Sequence, residues 1–136
     1  MAKRILVADD ESDYVRCLEV SLKQAGYAVE IAKNGREAIG AFVRSLKRDE
    51  PVSCIILDVK LPDINGVEVL GIIRAVEARW GIYGKFGVSV IMCTAYDKPW
   101  MDPDLIKGCD AYVVKSVSDK ELLEKIDENL RAKEML

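Results

Sequence analysis

The sequence contains no histidine. That absence removes imidazole bases, imidazole metal ligands and the Ser/His and Cys/His nucleophile pairs together, leaving Asp, Lys, Thr and a cation to carry any chemistry. Cysteine is sparse and scattered: Cys17, Cys54, Cys93 and Cys109 form no C-x-x-C pair. Three of the four stand in or beside apolar runs, where reduced thiols packed as small hydrophobes are expected. No apolar stretch approaches the roughly 20 residues a bilayer-spanning helix needs. Lys3 and Arg4 lead only into a short apolar run and then carboxylates, which does not read as a signal peptide, so a cytoplasmic protein with no membrane association is expected. Charge of one sign is also lacking. Charged residues make up 32% of the chain but leave a formal charge of only −3, so bulk attraction to nucleic acid or an anionic membrane is not expected.

What remains is a chain of 136 residues, half of them hydrophobic, enough for one ordinary core and read as a single domain over residues 1–136. No internal repeat, linker or low-complexity tract divides it. Short β-rich runs alternate with segments of helical period, the pattern of βαβ units in a parallel, doubly wound sheet with helices on both faces. The strands are read at Arg4–Ala8, Ala28–Ala32, Val52–Leu57, Val88–Cys93 and Ala111–Val114. The run Ile55–Leu57 is continuously apolar and Val88–Cys93 is apolar but for Ser89, as buried parallel strands should be.

The first helix carries Val15, Leu18, Leu22 and Ala25 on one face and ends at Gly26, suited to a left-handed turn. The second places Ala38, Ile39, Phe42, Val43 and Leu46 on its inner stripe. The third does so with Val69, Leu70, Ile73 and Val76 after Gly66. The last, opened by Ser118 or Asp119, turns Leu122, Leu123, Ile126 and Leu130 inward. The fourth helix should be stunted: Asp102-Pro103 reads as a cap and first-turn proline, so it runs from Pro103 to about Lys107 before Gly108, with Tyr96–Met101 a loop. Trp80–Gly87 is a long connection holding three glycines.

In an open doubly wound sheet, ligands bind beyond the carboxyl ends of the strands. Those ends read Ala8-Asp9-Asp10-Glu11, Leu57-Asp58, Cys93-Thr94-Ala95 and Val114-Lys115. Three carboxylates gathered there repel and raise one another's pKa unless cations neutralise them. Mg²⁺ takes oxygen ligands, keeps several waters and commonly binds one or two carboxylates with a phosphate, which suits so sparse a cluster better than a Ca²⁺ cage. Asp58 then qualifies as a nucleophile toward phosphorus, with charge stabilisation from Mg²⁺, Lys115 and the Thr94 hydroxyl. Each piece alone has a plainer use: Asp9, Asp10 or Glu11 as a cap of the first helix, Thr94 or Lys115 as ordinary surface groups. Their joint occurrence at the right strand ends is what favours function.

These segments resemble the receiver domain of response regulators over nearly the whole chain. Leu6-Val7-Ala8-Asp9-Asp10-Glu11 is similar to the family's acidic-pair segment, and Ile55 to Gly66 (I-I-L-D-V-K-L-P-D-I-N-G) to its phosphoacceptor segment. Thr94-Ala95 is similar to its hydroxyl site, and Tyr112-Val113-Val114-Lys115 to its switch aromatic and lysine. The resemblance implies a flavodoxin-like (βα)5 fold with strand order 2-1-3-4-5. It implies a signalling switch that accepts a phosphoryl group on Asp58 from the phosphohistidine of a partner kinase or phosphotransfer protein. It further implies that Asp10, Asp58 and the backbone carbonyl of Lys60 ligate Mg²⁺, that Asp9 helps through water, and that Lys115 contacts the phosphoryl group. Phosphorylation would then draw Thr94 inward and Tyr112 after it, changing the face of fourth helix, fifth strand and fifth helix for a downstream effector or a phosphorylation-linked homodimer. Such a chain is not an enzyme in the turnover sense; it catalyses only its own phosphorylation and dephosphorylation.

Further expectations attach to single positions. Lys60 and Tyr96 stand two residues after Asp58 and Thr94, where bulk should slow hydrolysis. Ser116 departs from the family's proline after the lysine. A non-proline cis bond costs about 2.5–4 kcal/mol against roughly 0.5–1 for X-Pro, so Lys115-Ser116 is expected trans. Trp100 and Met101 either form part of the output face or cover the end of the sheet. Three competing readings remain. An aspartate-nucleophile phosphatase of the haloacid dehalogenase type lacks its D-x-D here, since Asp58-Val59-Lys60 puts lysine at the acid's place. A flavodoxin-like nucleotide binder lacks a Gly-rich phosphate cradle. A degenerate receiver used only for docking does not fit the intact Asp58, acidic pair, Thr94 and Lys115.

Overall fold

The computed structural model describes residues 2–48, 51–95 and 107–134. Its elements run β1 (Arg4–Ala8), α1 (Ser12–Gln24), β2 (Ala28–Ala32), α2 (Gly35–Leu46), β3 (Val52–Leu57), α3 (Gly66–Arg79), β4 (Ser89–Thr94), β5 (Ala111–Val114) and α4 (Asp119–Glu134), with a 3₁₀ turn at Gly84–Phe86 before β4. All pairings are parallel and the strand order is β2-β1-β3-β4-β5, as expected. Alternation along the strands sends two sets of side chains to opposite faces. Leu6, Ala8, Ile55, Leu57, Val90 and Met92 join the core under α2 and α3. Ile5, Val7, Cys54, Ile56, Ile91, Cys93 and Val113 join that under α1 and α4.

The helix boundaries have local causes. Asn34 accepts the Glu37 N–H at 2.8 Å and donates back to its carboxylate, a reciprocal cap that starts α2. Asn65 starts α3 in the same way through Glu68. Ser118 accepts the Glu121 N–H, so of the two expected openers of α4 Ser118 is the cap and Asp119 the first helical residue. Gly26 follows α1 with φ +95°, the left-handed turn a glycine makes without strain.

Several expectations are corrected. The fourth strand begins at Ser89 rather than Val88, because the Val88 N–H donates to the Glu77 carboxylate at 2.6 Å instead of to a strand, and it extends to Thr94. Ala25 is exposed as the C-cap of α1. The buried face of α2 is Gly35, Ala38, Ala41, Phe42 and Ser45, leaving Ile39, Val43 and Leu46 at its margin. Close approach to α3 selects small residues: a Cβ on Gly35 would stand 2.9 Å from Val69 Cγ2. On α3 the buried residue of the last turn is Glu77, and Val76 packs only partly. The expected loop Tyr96–Met101 and the short helix from Pro103 lie outside the described residues, apart from Lys107, which is not helical. All four cysteines are free, Cys54 and Cys93 buried and Cys17 exposed.

Candidate functional site

Parallel order brings the carboxyl ends of β1, β3, β4 and β5 to one edge. The Asp58 N–H donates to Ala8 O at 2.9 Å and the Lys115 N–H to Thr94 O at 2.6 Å, so the last bonds of the ladder fix the positions of the polar side chains just beyond it. Between them lies a cleft of about 340 Å³ lined by Asp10, Glu11, Asp58, Lys60, Thr94, Ala95 and Lys115.

Asp9 and Asp58 are buried, at 4% and 6% exposure, whereas Asp10 faces solvent. One carboxylate oxygen from each of the three lies within 4.8 Å of the others. The Lys115 ammonium sits among them, 2.7 Å from Asp9 Oδ2, 3.2 Å from Asp58 Oδ2 and 3.0 Å from Glu11 Oε2. The other Asp58 oxygen accepts the Lys60 N–H at 3.3 Å. Burial and the neighbouring Asp9 charge push the Asp58 carboxyl above its ordinary value, against the pull of Lys115 and the Lys60 N–H. Burial alone would lower Lys115, but its hydrogen bonds to Asp9 and Glu11 and the charge of Asp58 outweigh that and raise it. One ammonium therefore stands against four carboxylates, and the surplus is hard anionic oxygen facing an open cleft. That donor set fits a magnesium ion.

The loop after Asp58 is held rigidly. Gly66 donates to Val59 O at 2.7 Å, and a Cβ on Gly66 would stand 2.2 Å from Asp58 O, so the helix start is pressed against the backbone that carries the carboxylate. Asp63 accepts the N–H groups of Gly35 at 2.7 Å and Arg36 at 3.0 Å, tying the loop to the positive end of α2. Those bonds and one from Ile64 N–H outweigh desolvation and lower the Asp63 carboxyl.

Thr94 is buried at the end of β4 beside the cleft. Tyr112 lies on the same sheet face, opposite Met92 and packed against the core under α2 and α3. Of the expected set, Asp10, Asp58, Lys60, Thr94 and Lys115 thus line one cleft, and buried Asp9 joins them through the Lys115 ammonium. No cis peptide occurs among the described residues, and Lys115-Ser116 is trans, as expected. The alternative of a carboxylate cap on α1 is resolved: Glu11 holds the N-cap position without a side-chain cap and reaches Lys115 instead, while Asp9 Oδ1 accepts the Glu11 N–H.

One neighbour was not legible from the strand ends. Tyr14, in the first turn of α1, lies beneath Lys115, with the ammonium 4.7 Å from its ring centroid. Its hydroxyl is 3.2 Å from Cys93 Sγ. The only sequence signal was position: the first turn after an acidic strand end faces the same edge.

The family model for the response regulator receiver domain matches residues 5–127. The chain belongs to this family. A receiver domain protein from Methanospirillum hungatei is similar at 32% identity, over 99% of this chain and 98% of that one, with a TM-score of 0.78. The response regulator protein TrrA from Thermotoga maritima, solved in complex with Mg(2+)-BeF, is 34% identical over 93% of this chain and 98% of its own, also at 0.78. The signal receiver domain of a Luxo repressor protein from Vibrio parahaemolyticus shares 26% identity and a TM-score of 0.79, over 99% of this chain and 95% of that one. The receiver domain is a module of two-component signalling, so its partners are those of a phosphorelay. Among the described residues no helix is long and apolar enough to cross a membrane.

Proposed function

We propose that this receiver is a phosphorylation-dependent switch in the cytoplasm, taking a phosphoryl group onto Asp58 from the phosphohistidine of a histidine kinase or phosphotransfer protein. One observation carries the reading: a buried aspartate at the end of β3, with an ammonium 3.2 Å away and two further carboxylates within 4.8 Å, opening on a cleft. An Asp58 oxygen attacks phosphorus, the P–N bond to the donor imidazole breaks, and the electron pair leaves with that nitrogen. Lys115 favours the ionised form of Asp58 against burial and Asp9 and then neutralises the phosphoryl oxygens, with the Thr94 hydroxyl as a further donor at the cleft wall. Asp10, Asp58 and the Lys60 carbonyl would hold Mg²⁺, with Asp9 acting through water. When bound, the ion supplies the positive charge that the four carboxylates and the transferring group require.

The chain turns over no separate substrate; it catalyses its own phosphorylation and dephosphorylation. The signal leaves through Thr94 and Tyr112 toward β5, α4 and the segment before β5, where an effector or a second copy would read it. A dehalogenase-type phosphatase is disfavoured because Lys60 occupies the place of its general acid.

Intact-mass measurement with acetyl phosphate tests the assignment. The parent chain gains one phosphoryl group in Mg²⁺, and none after chelation or in Asp58→Asn. Equal incorporation in Asp58→Asn, or incorporation indifferent to Mg²⁺, overturns it.

A further inference from the structure

The lysine at the end of β5 is held by more than carboxylates. Lys115 Nζ lies 4.7 Å from the centroid of the Tyr14 ring, within the distance at which an ammonium is attracted to an aromatic face. The ring is itself fixed at both ends, by its backbone in the first turn of α1 and by its hydroxyl against Cys93 Sγ at 3.2 Å. Cys93 is 1% exposed and is the residue before Thr94 on β4. Tyr14 therefore bridges α1 to the end of β4 directly beneath the ammonium that crosses from β5.

We propose that Tyr14 is a positioning residue, whose ring holds the Lys115 ammonium over the acidic cleft independently of the carboxylates. The ammonium competes with other cations for its partners. Among the described residues the other partners of the ammonium, Asp9, Glu11 and Asp58, are anionic, and two of them belong to the set assigned to a cation and a phosphoryl group. Those oxygens cannot serve the ammonium, a metal and a phosphoryl group alike. The ring face is neutral and takes no part in that exchange. It therefore keeps the flexible lysine stem at the cleft while its carboxylate partners change. Cys93 contributes by keeping the ring from swinging out, and its buried thiol, pushed up to about 11, stays protonated and neutral beside it.

This inference rests on the reading of Asp58 as phosphoacceptor only in its kinetic part, so the test has two arms. The first needs no phosphoryl donor. Methylene resonances of Lys115, assigned by comparison with Lys115→Arg, should be shifted upfield by the ring in the parent and in Tyr14→Phe, and return to ordinary lysine positions in Tyr14→Leu. The second measures phosphorylation by acetyl phosphate in Mg²⁺. Tyr14→Leu should be slower by roughly 5–30-fold, the range that a cation–π contact of ordinary strength represents, and Tyr14→Phe should restore most of the rate. Urea unfolding of each variant separates positioning from lost stability. Unshifted Lys115 resonances in the parent overturn the proposal even if Asp58 accepts no phosphoryl group. Equal rates in Tyr14→Leu and the parent, or equal impairment in Tyr14→Leu and Tyr14→Phe, overturn it as well. A parent chain that shows the shift but takes no phosphoryl group supports the Tyr14 contact and refutes the assignment of Asp58.

Discussion

The backbone N–H of Lys115 donates to the carbonyl oxygen of Thr94 at 2.6 Å. The hydroxyl-bearing end of β4 and the ammonium-bearing end of β5 are thus tied through main chain, just beyond the last register pair, Thr94 with Val114. The two side chains share the cleft while their spacing is set by a bond that no side-chain substitution removes.

Thr94→Ala should therefore separate chemistry from architecture. The backbone link survives, so Lys115 keeps its place and the fold loses only about 1 kcal/mol, the usual net worth of one buried hydroxyl's bonding. Phosphoryl uptake on Asp58 persists at a reduced rate, but the response of Tyr112 to phosphorylation, followed by its ring resonances, is lost. A Tyr112 response as large as in the parent shows that the Thr94 hydroxyl does not carry the change.

Much of this arrangement was legible in the sequence, for identifiable reasons. A parallel sheet buried on both faces writes itself as apolar runs, and four of five strands have the expected limits. The carboxyl-end rule then collects Asp9, Asp58, Thr94 and Lys115 at one edge without any knowledge of side-chain positions. What was missed depends on distance rather than pattern. At the start of α2 close approach to α3 leaves room only for Gly35, and small Ala41 and Ser45 are buried further along the same helix. Tyr14 belongs to the site through its contact with Lys115 about a hundred positions away, and Glu11, though read at the strand end, has a role set by the same distant lysine; no local spacing encodes either contact.

Glu77 is the sharpest such case, since a carboxylate on a helix reads as solvent-facing. It is buried at 3% exposure, with one oxygen 2.7 Å from Arg74 and the other accepting the Val88 N–H at 2.6 Å. Glu77→Ala should cost about 3 kcal/mol, the lower end for a broken buried pair, because Arg74 retains Asp110 and two carbonyls. Urea unfolding measures it. A loss under about 1 kcal/mol places Glu77 among exposed ion pairs in energetic terms.

Gly66→Ala should affect the site and the fold together. Its Cβ would fall 2.2 Å from Asp58 O and 2.9 Å from Val59 Cα, both backbone atoms that no rotamer change can move aside. Overpacking of this kind typically costs about 1–3 kcal/mol, and here the strain must displace either the start of α3 or the strand end that carries Asp58. Slower phosphoryl uptake accompanied by a lowered Tm is expected. Parent-like behaviour in both would show that the loop after Asp58 yields more readily than its bonds indicate.

The charge of Asp58 itself makes stability depend on pH. Its carboxyl is raised by burial and by Asp9, so in the absence of metal the folded chain binds a proton there more tightly than the unfolded chain, whose carboxyl sits near the ordinary value of about 3.9. Stability from this group is fully present below the unfolded value and is lost as pH rises through the folded one, because the native state then holds an ionised carboxylate it accommodates poorly. Asp58→Asn removes that loss. With chelator present, the variant should match the parent near pH 4 and exceed it increasingly toward neutrality, the gap levelling off once Asp58 is fully ionised. Adding Mg²⁺ should reverse the order of gains: a ligand that binds only the folded state raises Tm with its affinity, and the parent keeps a carboxylate ligand that the variant lacks. Thermal scans over that pH range, with and without Mg²⁺, check both parts. If Asp58→Asn is the less stable chain at neutral pH without metal, the pairing of Asp58 with Lys115 outweighs burial and Asp9, and the metal has less repulsion to relieve than the geometry implies.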